Sequence, residues 1–205
     1  LKFQQGVFAK MPPKKLDRLL GIPILGKIVA RKVLKGLGLD QVVQAGSGSA
    51  PIPADLIRWY RRLGLKLYEG YAMTEDNSYS HSSNEAFSEP GYVGVPMPGV
   101  QIRISDEGEI LIKSPGQMTG YYKRPDLTAE SFTADGFFRT GDLGERRSDG
   151  LLKITGRVKE LFKTAKGKYV APAPIENLLN AHPMIELSMV SGVGQPSAYA
   201  MVVLA

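Results

Sequence analysis

Residues 39–75, "LDQVVQAGSGSAPIPADLIRWYRRLGLKLYEGYAMTE", carry the signals on which the fold turns. "LDQVVQAGSGSAPIP" predicts a buried strand that ends in a Gly/Ser/Pro loop. In "PADLIRWYRRLG" the residues Leu56, Trp59, Tyr60 and Leu63 recur at helical spacing, and Gly64 supplies a stop. "LKLYEGYAMTE" is then the next strand and its exit loop. Strand, loop, helix and strand in that order make a βαβ unit, whose crossover is right-handed and whose strands run parallel. Ligands of such sheets gather beyond the carboxyl ends of the strands. "GSGSAP" and "GYAMTE" both fall there, brought together by topology although apart in sequence.

The pattern changes on either side. Residues 11–38 read as two short helices broken around "GIPILG". From about residue 88, "GYVGVPMPGVQIRISDEGEILIKS" alternates apolar and polar positions around a "DEG" turn, and "ADGFF" and "SDGLLKITG" add further hairpin signals. Residues 88–156 are therefore expected to form a small antiparallel barrel or sheet. After "GRVKE" the expected order is strand, loop, a helix beginning near Pro174, and strand. The apolar tail "SAYAMVVLA" reads as a strand interrupted before its partner.

Composition excludes several classes. The 205 residues are 43% hydrophobic and 22% charged, an ordinary globular balance with length enough for a core. No apolar run approaches the roughly 20 residues that span a bilayer. The start, "LKFQQGVFAKMPPKK", has neither an initiator methionine nor a signal-peptide hydrophobic region, as in a processed chain or a piece of a longer one. Cysteine is absent, which rules out a disulfide framework and thiolate chemistry and is compatible with a reducing compartment. The net charge of +6 is concentrated early, in "KKLDRLL" and "GKIVARKVLKG". Such runs are most often solvated helix faces, and peripheral contact with a membrane surface is the other reading. No aromatic–basic interleaving accompanies the charge, so nucleic acid is not an expected partner.

Single residues admit two readings each. Tyr71 suits stacking on a purine, Thr74 donation to a phosphate oxygen and Glu75 a hard-oxygen bond to magnesium. A core tyrosine followed by a polar loop accounts for the same string. Asp142 in "FFRTGDLG" can accept from a ribose diol, or it can close an Asx turn. Arg157, Lys159 and Lys163 in "GRVKELFK" suit a phosphate, or an exposed basic strand. "GSGSAP" lacks the lysine of a P-loop. His81 and His182 have no metal-ligand spacing and read as structural or surface residues.

Taken together, "SGSAP", "GYAMTE", "GYYKRPDLTAESF", "DGFFRTGDLGE" and "GRVKELFKTAKGKYVAP" resemble, in order, the adenylate-forming (AMP-binding) enzyme superfamily, most of all long-chain fatty-acid–CoA ligases. The resemblance runs over roughly residues 18–205 and implies an α/β fold: a parallel βαβ portion of a large adenylating domain, a small antiparallel β part, and the start of a small α+β carboxy-terminal domain. It divides the chain into 1–87, 88–156, a hinge at 157–159, and 160–205. By the same resemblance Ser49, Ala50 and Pro51 lie along adenine, and Gly70, Tyr71, Ala72 and Met73 carry the ring that stacks on the base. Thr74 contacts phosphate, Glu75 holds Mg2+, and Asp142 binds the ribose hydroxyls. Arg157 stands at the domain junction, Lys159 at the hinge where many relatives have aspartate, and Lys163 faces the nucleotide. The implied substrates are ATP, a fatty acid and coenzyme A, in the cytoplasm or at the periphery of a membrane.

There are departures from the pattern. Ala72 stands where the family often has glycine, which would change the acyl-pocket floor by a methyl group. No phosphate loop with its lysine is found before residue 47, and no terminal catalytic lysine after Lys163. The 205 residues by themselves are therefore expected to be a non-catalytic, nucleotide-binding piece of such an enzyme. A fatty acyl-AMP ligase or an amino-acid adenylation domain is the alternative parent.

Overall fold

The computed structural model describes residues 2–205 and is a mixed α/β structure, with a small parallel portion followed by antiparallel sheets. Three helices open the chain: α1 (Lys2–Lys10), α2 (Pro13–Leu20) and α3 (Leu25–Lys35). The break expected around "GIPILG" falls between α2 and α3. No helix among the described residues is long and apolar enough to cross a membrane.

The βαβ unit is present. Strand β1 (Ala45–Ser47) pairs in parallel with β2 (Leu67–Tyr71), and α4 (Ala54–Arg62) crosses between them. Leu56, Trp59 and Leu63 are buried with Ala30 and Leu34 of α3, and Tyr60 packs partly against them. Gly64 follows the helix at φ +89, a left-handed conformation that glycine adopts without the clash a Cβ would bring. Trp59 centres this core, with Phe3, Phe8 and Tyr60 edge-on to its ring at 6.4, 6.2 and 4.9 Å.

The first strand departs from expectation. It is three residues long, and Val43 is 84% exposed. Its one neighbour is β2, whose register begins at Ala45 opposite Leu67, so residues 41–44 have no strand to pair with among the described residues. An apolar sequence alone does not make a ladder.

Two very short strands, β3 (His81–Ser82) and β4 (Val95–Pro96), extend this sheet in antiparallel sense in the order β1-β2-β3-β4. His81 is thereby drawn out of what reads as a polar loop and buried opposite Tyr71. The second sheet consists of β5 (Gln101–Ile104), β6 (Glu109–Lys113), β7 (Phe138–Arg146) and β8 (Leu152–Arg157), paired in sequence order. It is an open sheet rather than a barrel, since β5 and β8 each have one partner. The short helix α5 (Pro125–Glu130) lies within the β6–β7 connection.

Ile110, Ile112 and Leu152 form the core of the second sheet, each at most 1% exposed and each stabilising it by about 1.5–3 kcal/mol of apolar burial. Tyr71 at the end of β2 and Met73 just beyond it pack against this core. The exit of β2 thus sits on the seam between the two sheets.

Beyond β8, a 3-10 turn at Val158–Glu160 lies against β7 and leads into β9 (Phe162–Lys163) and β10 (Tyr169–Val170). Helix α6 (Pro172–Asn180) begins two residues earlier than the sequence suggests, with proline at a position where the missing N–H costs nothing. The tail also differs from expectation. β12 (Tyr199–Leu204) pairs antiparallel with β11 (Ile185–Ser191) from Tyr199 opposite Ser191 to Leu204 opposite Ile185, so it is not a strand without a partner. The turn around Gly194 reverses the chain and lets the two apolar segments satisfy each other's backbone groups.

Candidate functional site

Three strands bring Tyr71, Asp142 and Arg157 together. Tyr71 ends β2, Asp142 lies in the middle of β7, and Arg157 ends β8 directly opposite Asp142 in the ladder. Tyr71 Oη–H donates to Asp142 Oδ2 at 2.7 Å, and Arg157 Nε approaches Asp142 Oδ1 at 3.0 Å. The Asp142 backbone N–H donates to Thr140 Oγ1 at 3.0 Å, and that hydroxyl donates in turn to Ile110 O at 2.7 Å. The carboxylate is therefore held on both oxygens, with its side chain 13% exposed, while the Arg157 side chain is 65% exposed. Burial pushes the Tyr71 phenol well above its ordinary pKa and the Asp142 charge adds to the effect, so Tyr71 stays a hydrogen-bond donor near neutral pH.

Beside Tyr71 lies His81, whose ring centroid is 6.1 Å away. Its Nδ1 is paired with Ser80 Oγ at 2.8 Å, and its Nε2 is buried without a hydrogen-bond partner among the described residues. Burial lowers the His81 pKa to about 4, with the Arg146 charge contributing. The ring under Tyr71 is neutral near pH 7.

After β2 the chain makes a 3-10 turn at Thr74–Asp76. Asp76 is buried, and its Oδ1 accepts from the N–H groups of Met73 at 3.0 Å and Tyr79 at 3.3 Å. That pins the turn from inside. Burial raises the Asp76 pKa, and the neighbouring Glu75 charge acts in the same direction. Thr74 is exposed on the turn, and Glu75 is half-buried with Oε1 accepting from Tyr121 Oη–H at 2.9 Å.

The expected adenine loop flanks this edge. Ser49, Ala50 and Pro51 are exposed, Ser49 at φ +66, and a Cβ on Gly48 would stand 3.5 Å from Gly70 O. Gly70, Ala72 and Met73 are half-buried around Tyr71. The two lysines are set apart from this group. Lys159 is exposed in the turn after Arg157, and Lys163 Nζ lies 5.3 Å from the Tyr169 ring. Among the described residues no hydrogen bond or ion pair joins either lysine to Tyr71, Thr74, Glu75 or Asp142.

A magnesium ion fits the donor set as a guest of phosphate. Mg2+ is held by one or two carboxylates with waters and substrate phosphates. Glu75 offers one such carboxylate, with Oε1 engaged by Tyr121, and Thr74 is exposed beside it. Among the described residues no cluster of three or more His, Cys, Asp or Glu side chains forms a cage.

Tyr121, Thr140 and Asp76 carry no role in the sequence pattern and join the site only through the fold. Tyr121 stands in a motif that carries the family resemblance, which was its one visible signal. Its contact with Glu75 spans 46 positions and has no local signature.

The model of the family described as "AMP-binding enzyme" matches residues 11–122, more than half of the chain. The long-chain-fatty-acid–CoA ligase FadD15 of Mycobacterium bovis is 41% identical over 181 residues, which are 88% of this chain and 30% of that protein. The ATP-bound RpMatB-BxBclM chimera B3 superposes with a TM-score of 0.73 at 34% identity, over 94% of this chain and 39% of the chimera. The o-succinylbenzoate coenzyme A synthetase MenE of Bacillus subtilis, solved with ATP and a magnesium ion, superposes with a TM-score of 0.71 at 27% identity, over 84% of this chain and 40% of MenE. The chain thus spans about 30% of the length of FadD15.

Proposed function

The chain belongs to the AMP-binding enzyme family, and on that premise we propose that it forms the adenine-, ribose- and magnesium-facing part of a long-chain fatty-acid–CoA ligase. The observation that carries this reading is the convergence of Tyr71, Asp142 and Arg157 from three strands next to the turn bearing Thr74 and Glu75. A carboxylate offers about four lone-pair directions, so Asp142 can serve Tyr71 and Arg157 and still accept from two ribose hydroxyls. The bonds from Tyr71 and Arg157 set the carboxylate plane before the nucleotide arrives. The exposed loop at Ser49, Ala50 and Pro51 then takes the other side of the base, and Thr74 donates to phosphate.

In the reaction proposed, a fatty-acid carboxylate oxygen attacks the α-phosphorus of ATP and pyrophosphate leaves. The thiol of coenzyme A then attacks the acyl carbon and AMP leaves. Magnesium, when bound through Glu75, offsets the negative charge of the phosphates. Arg157, Lys159 and Lys163 supply fixed or approaching positive charge for the same purpose.

Residues 157–159 act as the hinge of this scheme, between a large adenylating domain that includes 1–87 and 88–156 and a small carboxy-terminal domain that begins at 160. Proline at position 159 would lock φ near −65° and restrict rotation there. Lys159→Pro is expected to keep acyl-adenylate formation, read as pyrophosphate exchange, and to lose thioester formation severalfold. Lys159→Ala controls for the lost charge. Equal loss of both half-reactions in the proline variant, with alanine harmless, would argue for misfolding.

Pyrophosphate release by the intact protein over a panel of carboxylates tests the substrate class. Release with long-chain fatty acids, and thioester product once coenzyme A is added, is the expected result. Release with amino acids and none with fatty acids would overturn it.

A further inference from the structure

Residues 114–121 lie over the turn that carries Glu75 and grip it at several points. Ser114 Oγ–H donates to Tyr79 O at 2.7 Å, and the Met118 N–H donates to Glu75 O at 2.7 Å. Between them Gly116 packs so closely that a Cβ would stand 2.6 Å from Asp76 O. The last grip is made on a side chain, by Tyr121 Oη–H to Glu75 Oε1 at 2.9 Å.

Tyr121 is itself held. Its backbone N–H donates to Thr128 Oγ1 at 2.9 Å, and the Thr128 hydroxyl donates to Arg124 O at 2.8 Å. Gly120 permits this approach, at φ +152 with space for no side chain: a Cβ would meet Thr128 Cγ2 at 2.9 Å.

A glutamate side chain has several rotamers open to it, and choosing one costs entropy. A donor fixed from elsewhere in the fold removes that freedom. We propose that Tyr121 is the positioning residue for Glu75, occupying Oε1 and orienting the carboxylate so that Oε2 faces a nucleotide-borne magnesium ion. The inference rests on the assignment of Glu75 to magnesium made above. Partners that orient a metal ligand from behind typically contribute about 10- to 100-fold to metal affinity. Tyr121 reaches no phosphate in this role and acts through Glu75 alone.

The test is a calorimetric titration of the intact protein with ATP, once with magnesium and once with EDTA. The proteins compared are wild type, Tyr121→Phe, Glu75→Gln and the double variant. Tyr121→Phe keeps the ring and its packing, and its melting temperature reports the fold separately. The expected result is about tenfold weaker ATP binding with magnesium, against a change within about twofold in EDTA. In the Glu75→Gln background, Tyr121→Phe should have no further effect. Magnesium-dependent binding like the wild type's overturns the proposal. So does an equal loss with and without magnesium, or an undiminished loss in the Glu75→Gln background, because the phenol then acts only on the fold. Wild-type magnesium dependence in Glu75→Gln removes the assignment of Glu75 itself, and the role of Tyr121 with it.

Discussion

Asp142→Ala is expected to raise the KM for ATP of the intact protein by about 10- to 150-fold, since hydrogen bonds to a charged group contribute about 1.5–3 kcal/mol. The same change has a structural cost. It leaves the Tyr71 hydroxyl without the acceptor it has at 2.7 Å, at a cost of about 1–3 kcal/mol for an unsatisfied buried donor. The exposed Arg157 side chain, free to find water, adds little. Asp142→Asn separates the two effects. Its amide oxygen can still accept from Tyr71, so the melting temperature should stay near that of wild type, while the loss of charge still weakens ATP use. The two variants are compared by steady-state kinetics over ATP concentration and by thermal unfolding. A KM for ATP within about twofold of wild type in both, with Asp142→Ala melting earlier, would reduce Asp142 to a brace between strands.

The second large effect is on stability as a function of pH. His81 has a pKa of about 4 in the folded protein against an ordinary value of 6.5. Below pH 6.5 the unfolded chain takes up a proton on this side chain and the folded protein does not. Stability is therefore lost as pH falls, at about 1.4 kcal/mol per pH unit, and the loss stops near the folded pKa. The total is about 3 kcal/mol between neutral pH and pH 4. The physical cause is the burial of the ring at 3% exposure with Nε2 unpaired, where a positive charge would have no compensation and Arg146 would repel it.

Two buried carboxylates act in the opposite sense. Glu69 and Asp76 have raised pKa values, chiefly through burial, so the folded state binds their protons first and gains stability as pH falls. Wild type must therefore be compared with a variant, not read by itself. Denaturant unfolding of wild type and His81→Gln at pH 7, 5.5 and 4 should give curves that diverge, with wild type losing more. Parallel curves would mean that His81 titrates normally in the folded state.

Local rules were enough for much of this architecture. The parallel unit could be read from residues 39–75, because helical spacing at Leu56, Trp59 and Leu63 and the positive-φ stop at Gly64 depend on neighbours within a few positions. The hairpins β5–β6 and β7–β8 were legible for the same reason. The resemblance to the family was carried by five ordered motifs, which are also a property of the string, and the family model over residues 11–122 shows the membership. Strand length was not legible at Val42 and Val43, since a strand exists only where another pairs with it. The same reason explains why the apolar tail gave no sign of its pairing with Ile185–Ser191.

The site follows the same division. Sequence singled out Tyr71, Thr74, Glu75, Asp142 and Arg157 as residue types suited to a nucleotide. Only the tertiary structure joined Tyr71 to Asp142 across 71 positions and Tyr121 to Glu75 across 46. Only it turned His81 from a polar loop residue into a buried neutral ring. The physical reason is range. Turns and helices are governed by dihedral preferences and by spacing within a few residues, which the sequence displays directly. Hydrogen bonds between side chains on different sheets, and pKa shifts caused by burial, depend on which surfaces meet at the seam between those sheets.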